Sequence, residues 1–194
     1  GLVNETPLVL AKGLTEEVGG ANIWLKREDN APCGSHKIRN IVGQVLLARR
    51  MDKAEMIMAC GYAGHGIVLA AACQKFGLKC TIFMGTLDIE NQMEDIYAMQ
   101  MRGASVIFAE DHETGYHSMH AAMKAAHLHA EVKIDGFLIF NGPIGAHPQP
   151  TIHRFFQSLL GDETKEQCGR IIGAMPDAIV VPVGMGSGAV GMFT

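Results

Sequence analysis

The sequence predicts an α/β fold built on a mostly parallel sheet, and three observations predict it. Short apolar runs rich in β-formers alternate with longer runs of helical periodicity. The short runs are apolar throughout instead of alternating, as strands are when helices cover both faces of a sheet. Glycines fall at the ends of helical runs, where left-handed caps belong. Strand and helix taking turns means βαβ units, whose crossovers keep the strands parallel. In order, Ile23–Leu25 reads as a strand and His36–Arg50 as a helix. Met56–Ala59 follows as a strand, then His65–Phe76 as a helix closed by Gly77. Cys80–Phe83 is a strand, and Glu90–Arg102 a helix closed by Gly103. Ser105–Phe108 is a strand, Thr114–Ala130 a helix and Phe137–Phe140 a strand. Thr151–Leu160 reads as a helix closed by Gly161, and Ala178–Val183 as the last strand.

The 194 residues suit one domain or two small ones. A chain that is 48% hydrophobic with a net charge of −4 argues against disorder and against nucleic-acid binding, since no basic excess neutralises phosphates. No apolar run reaches the span of a membrane helix. The five cysteines, Cys33, Cys60, Cys73, Cys80 and Cys168, form no close pair. They read as reduced thiols and point to the cytoplasm.

Gly142–Pro150 carries three prolines, which remove three backbone donors and hold the chain extended. It is expected to be neither helix nor central strand but a rigid connector between two lobes. Near the end, the strand at 178–183 runs into Gly184-Met185-Gly186-Ser187-Gly188, and a helix starts at Ala189. One or two turns before Thr194 do not repay helix nucleation, so the fold is expected to be interrupted there.

Three turns carry candidate chemistry. Glycines at 184–188 let backbone N–H groups approach an anion, with the following helix start adding positive charge. The residues alone leave a phosphate cradle and a plain tight turn both open. Gly34-Ser35-His36-Lys37 opens a helix, where the dipole lowers a lysine pKa and favours the neutral amine that a Schiff base needs. A solvated surface lysine is the alternative. Cys60-Gly61-Tyr62-Ala63-Gly64-His65-Gly66 follows a strand, and its N–H groups suit a carboxylate or an ordinary turn. His112, His117, His120, His127 and His129 invite a metal reading. His112 to His117 is one residue too long for the His-Glu-x-x-His spacing, and no carboxylate or cysteine completes a ligand set. They are expected to be solvated helix faces, with no metal. Met93, Met99, Met101, Met119 and Met123 recur at helical spacing and suit packing.

Several stretches occur in one order: Glu5-Thr6-Pro7-Leu8, Leu25-Lys26-Arg27-Glu28-Asp29, Gly34-Ser35-His36-Lys37-Ile38-Arg39-Asn40 and Gly43-Gln44-Val45-Leu46-Leu47-Ala48. After them come His65-Gly66, Phe76-Gly77-Leu78, Met84-Gly85, Gly145-Ala146-His147-Pro148 with Pro150, and Pro176-Asp177-Ala178. Over essentially the whole chain they resemble the β chain of tryptophan synthase, a pyridoxal-phosphate enzyme of fold type II. The resemblance implies a two-lobed, parallel-sheet αβα fold that is incomplete at its C-terminus. Residues 1–35 would be a segment of the large cofactor lobe. Residues 36–155 would form the small lobe, with a mobile communication region at about 52–141. Residues 156–194 would begin the returning large-lobe segment with its phosphate loop.

The resemblance further implies pyridoxal 5'-phosphate held covalently by Lys37, with His36 beside it. Gly184, Gly186, Ser187 and Gly188 would cradle the cofactor phosphate. Cys60, Gly61, Ala63, Gly64 and His65 would bind the substrate carboxylate. The implied reaction replaces the hydroxyl of L-serine with indole to give L-tryptophan, with Lys37 shuttling the α-proton. A tryptophan synthase α subunit is the implied partner. Self-association is expected because strands in this span pair, in the family, with strands outside it.

Departures from the family pattern fall on the chemistry. Ala59 stands where the family has a glutamate, and alanine handles no protons. Cys60 and Gly64 replace a threonine and a glutamine. Met185 replaces a glycine, Gly188 an asparagine, and Asn91 an arginine. Two expectations follow. One is a fragment or divergent homologue of the enzyme, weak or inactive by itself. The other is a non-catalytic remnant acting as a binding or interaction module.

Overall fold

A computed structural model describes residues 2–89, 92–110 and 118–194. Two short strands, β1 (Leu8–Leu10) and β2 (Trp24–Lys26), pair antiparallel on either side of α1 (Lys12–Val18). Two tight 3-10 turns, Glu28–Asn30 and Pro32–Gly34, lead into α2 (Lys37–Arg50). Next come β3 (Glu55–Ala59), α3 (Ala63–Phe76), β4 (Lys79–Gly85), α4 (Thr86–Ile89) and α5 (Met93–Gln100). They are followed by β5 (Ala104–Ala109), α6 (Met119–Val132), β6 (Gly136–Ile139), α7 (Gln149–Gln157), α8 (Leu159–Gln167) and α9 (Ser187–Met192). Strands β3 to β6 all pair parallel, in the order β5-β4-β3-β6, with Met56 opposite both Cys80 and Phe137.

Alternate strand residues point to opposite faces, and here both faces are covered. Met56, Met58, Ile82 and Met84 pack with Ile38, Ile41, Val45, Leu69, Ile96 and Met99 from α2, α3 and α5. Ile57, Ala59 and Phe83 turn the other way, onto Ala121, Ala122 and Ala126 of α6. That double burial is why β3 and β4 read as nearly continuous apolar runs. The alanines let α6 lie close against the sheet. No helix among the described residues is long and apolar enough to cross a membrane.

Several sequence expectations need correction. Ala178–Val183 forms no strand, because no strand lies beside it among the described residues and its N–H and C=O groups find no ladder. Val180 and Val183 are consequently exposed. Gly161 is not a cap: it lies inside α8, where a Cβ would sit 2.5 Å from the Gly191 carbonyl oxygen. Gly191 in turn would place a Cβ 2.5 Å from the Gln157 carbonyl oxygen, so bare backbone lets α9 cross the α7–α8 junction. The expected helix at 151–160 is two helices that meet at Ser158. Gln149 and Pro150 belong to the first turn of α7, where proline forfeits no helical bond. Gly77 is a left-handed cap as expected, with φ 71°. Residues 90–91 and 114–117, taken as helix starts, lie outside the described residues, as do His112 and Asn91.

A buried ionic network ties the N-terminal hairpin to α2 and α8. Arg39 donates to Glu163 at 2.8 Å and 3.1 Å and to Glu28 at 3.1 Å. Lys26 donates to Glu163 and to Gln167, and Gln167 donates to the Thr6 carbonyl at 2.8 Å. Burial by itself would raise the Glu163 carboxyl, but the hydrogen bonds from Lys26 and Arg39 hold it below the ordinary glutamate value. Removing one partner from such a network strands the other charges, at a cost of about 3–5 kcal/mol. Glu163→Ala is therefore expected to lower the urea midpoint sharply, whereas Glu163→Gln loses less. A carboxyl with a lowered folded pKa stabilises above its unfolded value and loses that contribution as pH falls through the folded one. Below the ordinary glutamate value the wild-type chain thus loses stability faster than Glu163→Gln, read by unfolding at stepped pH.

Candidate functional site

The first turn of α2 is fixed from both sides. The Lys37 N–H donates to Ser35 Oγ at 3.3 Å, and Gln157 Nε2 of α7 donates to the His36 carbonyl at 3.3 Å. Lys37 then reaches the carboxyl ends of β3 and β6, the edge at which open parallel sheets bind ligands. A cleft of about 400 Å³ lies there. His36 and Lys37 line it, with Gly61, Tyr62 and His65 from the β3–α3 turn and Asn141 after β6. Met119, Pro182 and Gly184–Gly188 complete the lining. Five segments far apart in sequence thus meet around one volume.

Basic groups crowd this cleft. Burial lowers the Lys37 amine, with nearby Cys60 pulling the other way. Burial, then Lys37, lowers His36. His65 falls well below its ordinary value through burial, then through Lys37, His153 and His36. An anion entering the cleft would relieve this crowding of like charge. Gly186 holds φ at 86°, and a Cβ on Gly188 would stand 3.8 Å from His36 Nε2. The Gly-rich turn thus keeps its backbone bare beside the histidine.

The turn after β3 is only partly turned to the cleft. Gly61 and His65 line it, but Cys60, Ala63 and Gly64 do not. Cys60 is buried, its thiol pushed up to about 11 by burial, and it donates to the Tyr62 carbonyl at 2.8 Å. The Ala63 N–H is taken by Gln92 Oε1 at 2.7 Å, and Gln92 Nε2 donates back to the Gly61 carbonyl at 3.0 Å. The Tyr62 ring covers Gly64, where a Cβ would meet it at 2.6 Å, and stands 5.2 Å from Lys37 Nζ. A side chain at position 64 and this tyrosine pose exclude each other.

Ala59 and Met185 share one site. Both line a second cavity of about 10 Å³, roughly one water, together with Met119, Met123 and Phe140. Met185 also packs on Gly142. A small residue at the end of β3 is thus matched by a large one in the glycine loop. Asn141 Nδ2 donates to the Ala59 carbonyl at 2.8 Å, holding the strand end in place.

Met119, Asn141 and Pro182 line the cleft without having been expected there, and Tyr62 and Met185 do so from inside the two candidate turns. The position of Asn141 just past a parallel strand was the available signal. The others depend on tertiary packing. Among the histidines that invited a metal reading, His127 bonds the Met123 carbonyl at 2.8 Å and His129 lies 3.2 Å from Glu55. His112 and His117 lie outside the described residues. Among the described residues no three His, Cys, Asp or Glu side chains are arranged to hold a metal.

A sequence profile of the family described as "Pyridoxal-phosphate dependent enzyme" matches residues 1–194. The chain is 40% identical over 193 residues to the tryptophan synthase beta chain of Shouchella clausii, covering 97% of this chain and 47% of that one. It is 39% identical over 189 residues to the tryptophan synthase beta chain of Jannaschia sp., covering 97% and 46%. The chain therefore spans about half the length of the curated relatives it matches. Among solved structures, it superposes on diaminopropionate ammonia lyase from Escherichia coli with a TM-score of 0.79 at 20% identity, covering 98% of this chain and 51% of that one. A fungal L-serine ammonia-lyase from Rhizomucor miehei gives 0.76 at 22% identity, covering 99% and 55%. At that identity the likeness is one of fold.

Proposed function

This chain belongs to the pyridoxal-phosphate-dependent enzyme family, and from that premise we propose that it carries the lysine and phosphate-loop portion of a tryptophan synthase β-type site. The single observation that carries the reading is the cleft in which Lys37, His36, His65 and Gly184–Gly188 meet. Its residues fit the cofactor. The volume lies in the range of small-molecule pockets, about 300–1,000 Å³. A lysine whose burial favours the neutral amine suits an aldehyde, and bare glycines with the Ser187 hydroxyl suit a phosphate. When bound, pyridoxal phosphate supplies an electron sink for charge at the substrate α-carbon.

The chain's own residues would do the rest. Lys37 Nζ anchors the cofactor aldehyde and moves the α-proton of the substrate. His36 and the turn at 184–188 hold the phosphate. Gly61 and His65 stand where a substrate carboxylate enters. The substrates are L-serine and indole, by analogy with the relatives' reaction, and an α subunit is the partner. The ionic network supports grouping residues 1–35 with 156–194 in one lobe, since Thr6 and Lys26 meet Glu163 and Gln167 across it. A visible absorbance band on adding pyridoxal phosphate tests the reading. No band at saturating cofactor would contradict it.

Met185 and Ala59, which line one small cavity, favour a second reading, a module that binds the cofactor without turnover. Cofactor capture without tryptophan formation distinguishes the two. Either way, self-association is expected: Ile134, Phe155 and Val180 are exposed apolar surface. Light scattering across concentrations checks this, and a monomer throughout would contradict it.

A further inference from the structure

We propose that His153 is a positioning residue for the phosphate subsite: its Nε2–H fixes the Ser187 hydroxyl as a donor toward the cofactor phosphate. The proposal rests on reading Gly184–Gly188 as the phosphate loop. His153 lies in the middle of α7 and is 1% exposed, Ser187 opens α9 and is 8% exposed, and His153 Nε2 stands 2.8 Å from Ser187 Oγ. The other ring nitrogen, Nδ1, is buried with no hydrogen-bond partner among the described residues.

A neutral imidazole carries one proton, and its place decides what Ser187 can do. With the proton on Nδ1, a buried N–H is orphaned and the only serine proton is spent on Nε2. With the proton on Nε2, only a lone pair goes unmatched, the smaller penalty. Ser187 then accepts from His153 and keeps its own proton for another acceptor. Burial, then His36, pushes His153 down to about 4, so near neutral pH the tautomer and not the charge sets the direction of the bond. Ser187 lines the cleft between Gly186 and Gly188, so an anion held there is the acceptor within reach. A hydroxyl that accepts an N–H is also polarised into a stronger donor. The close crossing of α9 on α7 at Gly191 keeps the pair together.

The test compares pyridoxal phosphate with pyridoxal, the same aldehyde without phosphate, by absorbance titration of the full chain. His153→Leu is expected to weaken pyridoxal phosphate about tenfold, the scale of one hydrogen bond to a charged group, and to leave pyridoxal unchanged. His153→Gln, whose Nε2 can donate, is expected to recover most of the loss. Equal weakening of both ligands, or an unchanged ratio, would overturn the role of His153 while leaving the cofactor reading intact. No binding of either aldehyde to the unmodified chain would overturn that reading, and the proposal with it. Should His153→Leu fail to fold, nitrogen-15 NMR of the unmodified chain with pyridoxal phosphate decides. The proton is expected on Nε2, and a proton on Nδ1 would overturn the proposal.

Discussion

The 194-residue chain, given saturating pyridoxal phosphate, L-serine and indole, is expected to form no tryptophan above background, and Ala59→Glu by itself does not change that. A positioned acid–base group contributes ~10²–10⁴-fold, and Ala59 has none to offer. The structure adds why a simple restoration fails. Ala59 faces a cavity of about 10 Å³ walled by Met119, Met123 and Met185. A glutamate there must displace a methionine or bury a carboxylate in a lining that is apolar apart from His127 and Asn141, and a carboxylate left unpaired there costs several kcal/mol. Ala59→Glu is therefore expected to destabilise, and Met185→Gly in the same chain to relieve that cost by vacating space. The two substitutions should show a favourable coupling in a double-mutant cycle, read by urea unfolding. Strictly additive effects would mean that the two residues do not share one packing site. Turnover requires more, because the chain spans about half of its curated relatives. Joined to the stretch of a relative that it does not span, it is expected to gain cofactor affinity yet stay ~10²–10⁴-fold slow until residue 59 also changes. Robust tryptophan formation by the unmodified chain would overturn this account of Ala59.

Lys37→Ala is expected to abolish covalent capture of the cofactor altogether, a loss with no partial form. Lys37→Arg should do the same, since a guanidinium does not lose its proton in proteins and cannot attack an aldehyde. The phosphate turn stays intact in both, so reversible binding of pyridoxal phosphate should persist and inorganic phosphate should compete with it. An undiminished covalent band in Lys37→Ala would refute the assignment.

Much of the fold was legible because burial on both sheet faces leaves a plain signature in Met56–Ala59 and Cys80–Phe83. The glycine at 77 was legible because its left-handed backbone is a local requirement. Gly161 and Ala178–Val183 were not, because each answer lies in a partner distant in sequence. Gly161 is set by its approach to Gly191, and the 178–183 run by the lack of an adjacent strand among the described residues. The site divides in the same way. Lys37, His36 and the glycine turn stand out through residue type and position, and they do line the cleft. Cys60, Ala63 and Gly64 sit in the same glycine-rich stretch, yet hydrogen bonds to the Tyr62 carbonyl and Gln92, and the cover of the Tyr62 ring, take them out of the lining. The pairing of Ala59 with Met185 joins residues that no local pattern connects.

Borohydride reduction of the chain with pyridoxal phosphate, followed by peptide mapping, tests the central claim most directly. Among the described residues Lys37 is the lysine that lines the cleft, with its amine lowered by partial burial, while Lys26, also half-buried, is held by Glu163, Gln167 and the Thr6 carbonyl. The adduct is expected on Lys37. An adduct on Lys26 or any other lysine, with Lys37 unmodified, would contradict the account.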